Sequence, residues 1–180
     1  MSDYAYRFSG IARLYGVNAL DRIRHSHVCV VGVGGVGSWT VEALARSGVG
    51  KITLIDMDDV CLSNANRQLH ALDGTVGQLK IDVLTQRVRA IQPECQVNPV
   101  ADFFTSSTAD KLLDADYDVV IDAIDQPANK CLLIDGAKKR KMPIVTVGPA
   151  GGKWDPTAVQ VSDLTRVSYD ALLKRVRKSL

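Results

Sequence analysis

No apolar run approaches the roughly 18 residues that cross a bilayer, so no integral membrane segment is expected. No CxxC pair occurs either. The four cysteines, Cys29, Cys61, Cys95 and Cys131, stand alone, which argues against a structural zinc site. None has a neighbouring base to mark it as a nucleophile, and Cys29 sits in an apolar strand-like run that reads as core. The stretch 1–7 is polar and lacks the apolar segment of a secretory signal, so a cytoplasmic location is expected. Internal repeats and low-complexity tracts are also missing. What is present is an ordinary globular composition, 46% hydrophobic and 23% charged over 180 residues, enough for one domain with a real core.

The net charge of +2 conceals an asymmetry. Residues 138–180 carry ten Lys or Arg against three Asp, a surplus of +7, and the preceding 137 residues carry twelve against seventeen, or −5. A basic end on an acidic body suits an anionic partner, with solvated helix faces as the plain alternative. Within that end, Tyr169, Leu172, Leu173, Val176 and Leu180 fall at helical spacing. Lys174, Arg175, Arg177 and Lys178 lie between them and should mostly face outward.

Periodicity orders the rest of the chain. Residues 13–24 read as a helix, with Leu14, Val17, Leu20 and Ile23 at helical spacing, and 27–31 as a buried strand ending at Gly32. Helix 36–47 closes at Gly48 and strand 51–56 follows. A loop through Asp73 holds a short helix near Asn64. Helix 76–91 stops before Pro93. Strand 96–101, a helix around 109–113, strand 119–124, helix 127–139 and strand 144–147 complete the series, with 159–161 as a candidate sixth strand. Strands alternating with helices predict an α/β fold: a Rossmann-like, doubly wound, mostly parallel sheet with helices on both faces. Such sheets bind ligands beyond the carboxyl ends of their strands.

The residues after the strands carry the chemistry. Gly32-Val33-Gly34-Gly35-Val36-Gly37 is a GxGxxG pattern between a strand and a helix, a strong signal for a nucleotide phosphate at a helix N-terminus. Asp56, nineteen residues after Gly37, is placed to accept ribose hydroxyls. Asp58 is a second candidate, with turn capping as its equal alternative. Arg67 and Lys80 add two fixed cations, which suit a triphosphate better than a dinucleotide's pyrophosphate. An NAD-dependent dehydrogenase would explain the glycine loop and Asp56 but leaves Arg67, Lys80 and Asp125 without a role.

The run GxGGxG, then Asp56-Met57-Asp58, then Ser63-Asn64-Ala65-Asn66-Arg67-Gln68, then Gly77-Gln78-Leu79-Lys80 resembles the ubiquitin-activating-type adenylating superfamily, which includes the molybdopterin- and thiazole-pathway adenylyltransferases. Ile121-Asp122-Ala123-Ile124-Asp125 completes the likeness, which covers about residues 7–165. Arg7 to Gly16, Val31 to Trp39, Leu54 to Cys61 and Gly151 to Thr157 resemble its tRNA-modifying dehydratase branch.

The resemblance implies ATP and Mg2+, with Asp125 placing the metal and Asn64 and Gln68 among the nucleotide ligands. It implies a homodimer in which Arg13, or else Arg7, reaches the partner's triphosphate. The implied reaction is adenylation of a carboxylate on a modified adenosine beside the tRNA anticodon, followed by cyclisation with net loss of water. Activation of a ubiquitin-like sulfur carrier's C-terminus is the sister activity, a sulfur-transfer protein is a further implied partner, and a non-catalytic nucleotide-sensing scaffold is the remaining rival. The chain departs from the family at Gln126, where Asn is usual, and lacks its Arg-Tyr-x-Arg-Gln motif near the N-terminus. The implied domain is a single ATP-binding adenylating unit over 1–180, without the C-terminal parts of the full family fold.

Overall fold

The computed structural model describes residues 3–180, so the first two residues of the expected domain lie outside it. Three helices lead in: α1 (Asp3–Arg7), α2 (Ser9–Tyr15) and α3 (Val17–His25). The strands are β1 (His27–Val31), β2 (Lys51–Ile55), β3 (Gln96–Val100), β4 (Val119–Asp122) and β5 (Ile144–Thr146). Between and after them run α4 (Gly37–Arg46), α5 (Lys80–Ile91), α6 (Ala109–Leu112), α7 (Pro127–Lys139) and α8 (Ala171–Ser179), with short 3-10 turns at Leu62–Asn64, Pro156–Ala158 and Leu164–Arg166.

The five strands pair in the order β3-β2-β1-β4-β5, and every pairing is parallel. The order reverses between β1 and β4, so the crevice beyond Val31 and Asp122 is the switch point where such sheets bind ligands. Alternation along β1 builds the two layers. Val28 and Val30 join Ile52, Leu54, Val41, Ala45, Ile81, Leu84 and Val88 on one face. Cys29 and Val31 join Ile55, Val120, Leu112, Leu113 and Leu133 on the other. Pro99 lies in edge strand β3, where a missing N–H costs no ladder bond on the open side. Among the described residues no helix is long and apolar enough to cross a membrane.

Apart from one-residue shifts at element ends, four stretches differ from the sequence reading, each for a local reason. The expected helix 13–24 is split at Gly16, whose φ of 90° ends α2. Leu14 and Val17, half of its apolar stripe, stand exposed. Helix α5 starts at Lys80, not Val76, because Gly77 has φ 86° and the turn before it is clamped by Val60 N–H to the Gln78 carbonyl and Gly77 N–H to the Val60 carbonyl. Strand β4 ends at Asp122, two residues early, because the Asp122 carboxylate takes the Ile124 N–H and turns the chain. Residues 159–161 form no strand: Val159 and Val161 are exposed and pair with no sheet.

The leading helices seat on the amino-terminal edge of the sheet. Tyr4, Phe8 and Leu20 cluster there, and the Tyr4 hydroxyl donates to the Gly48 carbonyl at 2.6 Å. Burial pushes that phenol up to about 12. Arg24 lies 4.5 Å over its ring.

Candidate functional site

Strand β1 releases into Gly32 with φ 84°. A Cβ there would stand 2.9 Å from the Ala123 carbonyl oxygen, and a Cβ on Gly37 would collide with the carbonyl of Gly32. Only glycine lets the first loop fold this tightly against the loop after β4. Helix α4 begins at Gly37 with no side-chain cap; Ser38 N–H donates to the Gly34 carbonyl at 3.0 Å, and the other N–H groups at its start are the ones that suit an anion.

Two side chains from the loop after β2 close on the glycine turn. A Cβ on Gly35 would meet Arg67 Cγ at 3.5 Å, and one on Gly34 would meet Gln68 Nε2 at 3.7 Å. Their segment is seated on α4: Trp39 Nε1 donates to the Arg67 carbonyl at 3.1 Å and Leu69 N–H to Ser38 Oγ at 3.3 Å. The Arg67 guanidinium is exposed and donates to two neutral acceptors, the Ser63 carbonyl and Asn66 Oδ1, so no carboxylate offsets its charge.

Asp56 fastens the glycine loop from below. One carboxylate oxygen accepts Val33 N–H and the other Asp58 N–H, both at 2.8 Å. Each oxygen keeps a lone-pair direction for a ribose hydroxyl. Asp58 serves as the counter-ion of Lys80, at 2.7 Å. That lysine is 7% exposed and its partner 56%, so the pair opens to solvent on one side only. Asn64 is buried, and its side-chain oxygen caps the 3-10 turn by accepting Cys61 N–H at 3.1 Å. Its amide NH2 is the part left to meet a phosphate.

Asp125 lies in the β4–α7 loop, exposed, with no hydrogen bond or ion pair to the described residues. The loop abuts the glycine turn through Ala123, whose N–H donates to the Val31 carbonyl at 2.9 Å. Glycine loop, Asp56, Asp58, Arg67, Gln68, Lys80 and Asp125 therefore all border the carboxyl end of the sheet. Arg13 does not: it is exposed on α2, in the layer seated at the opposite edge. Arg7 is engaged with the Ile91 carbonyl at 3.0 Å.

Three polar groups here escaped the sequence reading. Asp122 and Lys130 form an ion pair at 2.8 Å with both side chains fully buried. Burial pushes the Asp122 carboxyl up, against the pull of the Lys130 charge and the donors around it. The available signal was a lysine near the N-terminal turn of α7, where the helix dipole disfavours a cation. His70 is 2% exposed, and neither ring nitrogen has a hydrogen-bond partner. Desolvation, helped by the Lys80 charge, brings it down to about 4. Gln68 Oε1 is likewise buried and unpartnered. Cys29 is core, its thiol pushed up to about 12 by burial.

At the basic end, α8 buries Val176 and leaves Lys174, Arg175 and Lys178 exposed. Arg177 departs from the outward set: it is half-buried and donates to the carbonyls of Thr165 at 3.2 Å and Val167 at 2.5 Å.

The donor set matches a nucleoside triphosphate and a hard cation. A glycine cradle and an uncapped helix start suit phosphates, and a lone carboxylate beside them suits magnesium shared with phosphate oxygens. Comparison with known proteins bears on the nucleotide. The tRNA threonylcarbamoyladenosine dehydratase of Haemophilus influenzae is 51% identical over 180 residues, which is 100% of this chain and 69% of that protein. The crystal structure of the Escherichia coli tRNA N6-threonylcarbamoyladenosine dehydratase in complex with ATP superposes with a TM-score of 0.96 at 50% identity, covering 98% of this chain and 73% of that one. The molybdopterin-synthase adenylyltransferase of Escherichia coli is 34% identical over 136 residues, 76% of this chain and 54% of that protein. The ThiF family model matches residues 8–178, nearly the whole of the sheet and its helices, and the chain belongs to the ThiF family.

Proposed function

We propose that this chain is an ATP-dependent enzyme acting on tRNA: it adenylates the carboxylate of threonylcarbamoyladenosine, which then closes on itself with release of AMP, a net loss of water. The observation that carries the reading is the seating of Arg67 and Gln68 against the glycine turn, beside the Asp56 clamp and the buried Lys80. Identity of 51% to a dehydratase of that name supports it.

The protein's part is positioning and charge stabilisation. The glycine turn and the start of α4 hold phosphate oxygens, and Asp56 holds the ribose. The substrate carboxylate, ionised at neutral pH, attacks the α-phosphorus in line and pyrophosphate departs. Arg67 forks onto the phosphate oxygens, and Lys80 exchanges part of its contact with exposed Asp58 for the developing charge. Asn64 donates its amide to the phosphates. That attack needs no general base on the enzyme. Asp125 holds Mg2+, which when bound would neutralise phosphate charge.

Residues 1–180 act in this reading as the adenylating domain. The chain works in the cytoplasm as a homodimer, and Arg13, remote from its own chain's site, reaches the partner's triphosphate. A sulfur-transfer protein is a further partner. The exposed cations of α8 hold the RNA backbone without reading its sequence, and specificity comes from the modified base.

The deciding experiment is ATP–pyrophosphate exchange with tRNA carrying threonylcarbamoyladenosine, with a sulfur-carrier protein, or with neither. Exchange stimulated by the modified tRNA alone is expected. Stimulation by the carrier alone would replace the reading with the sister activity, and NAD binding without exchange would remove both.

A further inference from the structure

Deepest among the polar groups at the switch point is the pair Asp122–Lys130, and every donor it owns is used. The Lys130 ammonium contacts the Asp122 carboxylate at 2.8 Å and donates to the Val147 carbonyl at 3.1 Å and the Asp122 carbonyl at 3.4 Å. The Asp122 carboxylate also accepts Thr146 Oγ1 and Ile124 N–H, each at 3.1 Å. One lysine thus ties together the ends of β4 and β5 and the first turns of α7.

Burying two charges is a poor way to gain stability. Apolar side chains of similar volume usually do as well or better at such a site. What apolar residues cannot do is capture Ile124 N–H, end β4 at Asp122 and hold the Val147 carbonyl. Those contacts set the course of loop 123–126, which is pinned on its other side by Ala123 N–H to the Val31 carbonyl and by the close approach to Gly32. The loop has no slack, and Asp125 is its third residue. Because Lys130 cancels the charge of Asp122, the pair adds no net charge beneath Asp125.

We propose that Asp122 and Lys130 are positioning residues that aim Asp125 at the magnesium of bound ATP. The proposal rests on the reading of Asp125 given above. Groups that orient a metal-binding carboxylate typically govern affinity for the metal by about 10- to 100-fold.

The test titrates Mg2+ into ATP binding, followed by calorimetry on the full chain, with thermal midpoints in parallel. The variants are the double substitution Asp122→Leu with Lys130→Met, Thr146→Val, and Asp125→Asn. The double variant is expected to melt near the wild type and to bind ATP without Mg2+ as the wild type does, since the glycine turn and Asp56 are untouched. Its Mg2+ midpoint should rise about 10- to 100-fold, alongside that of Asp125→Asn. Thr146→Val, which removes one hydrogen bond to Asp122, should raise it roughly fivefold.

A folded double variant with a wild-type Mg2+ midpoint, while Asp125→Asn is shifted, would overturn the positioning role and leave the Asp125 reading standing. An unshifted Asp125→Asn would overturn both. If the double variant fails to fold, Thr146→Val decides: a shift in Mg2+ midpoint with intact Mg2+-free ATP binding supports the role, and no shift overturns it.

Discussion

Each half of the sheet carries one buried lysine joined to an aspartate, and the two pairs are built differently. In the β2–α5 half, Lys80 is 7% exposed and Asp58 56%. In the β4–α7 half, both members of Lys130–Asp122 are at 0%. The open pair can let go of its carboxylate, because water takes Asp58 back at little cost. The sealed pair cannot lose either member without leaving a bare charge in the core. The first arrangement suits a cation that must engage a ligand, the second one that must hold backbone still.

The largest effect expected from breaking this contrast is on the sealed side. Lys130→Met strands the Asp122 carboxylate and should cost about 3–5 kcal/mol of folding stability in a urea titration. A loss under about 1 kcal/mol would mean that water reaches the pair and that the two lysines are alike.

His70 sharpens the other side of the comparison. In the folded chain it titrates near 4, against about 6.5 unfolded. As pH falls through 6.5 the unfolded chain binds the proton first, so stability declines down to about pH 4, by up to about 3 kcal/mol. His70→Leu should flatten the stability–pH curve across that window. A curve with the wild-type slope would assign the pH dependence to other groups.

Lys80→Ala should spare the fold, because its partner is exposed, while pyrophosphate exchange falls by on the order of 30-fold, about 2 kcal/mol of transition-state stabilisation. Mixing that chain with an Arg13→Ala chain should restore part of the activity, since one site per mixed dimer is intact. No recovery in a verified mixed dimer would remove the trans arginine.

The smallest effect concerns α8. Replacing Lys174, Arg175 and Lys178 with Ala should weaken tRNA binding and flatten its salt dependence by about one unit of slope for each phosphate no longer neutralised, with ATP binding unchanged. Arg177→Ala should instead loosen the turn at Leu164–Arg166 and leave the salt slope alone. Equal slopes for the triple variant and the wild type would mark the helix face as merely solvated.

Most of the strand–helix series was legible because its cause is local. Val28 to Val31 and Ile52 to Ile55 are strands by composition, α7 runs from Pro127 to Lys139 as expected, and Gly32 to Gly37 form the turn between β1 and α4 that the glycine pattern predicts. The misread stretches depended on what the periodicity could not register. Leu14 and Val17 have helical spacing, yet Gly16 breaks the helix between them and leaves them in solvent. Val159 and Val161 have strand composition, yet they stand exposed and pair with neither edge of the sheet.

The candidate site divides the same way. Sequence alone marked Gly32 to Gly37, Asp56 and the cations Arg67 and Lys80 as candidates, because motif residues lie at short, fixed spacings after strands, and the structure brings them to one end of the sheet. Only the tertiary structure decided that Asp58 neutralises Lys80, that Asn64 spends its oxygen on a turn, that Arg177 faces inward, and that Asp122 is a buried anchor. Each of those outcomes depends on which polar atom meets which partner once water is excluded, and such partners lie on separate elements that only folding brings together.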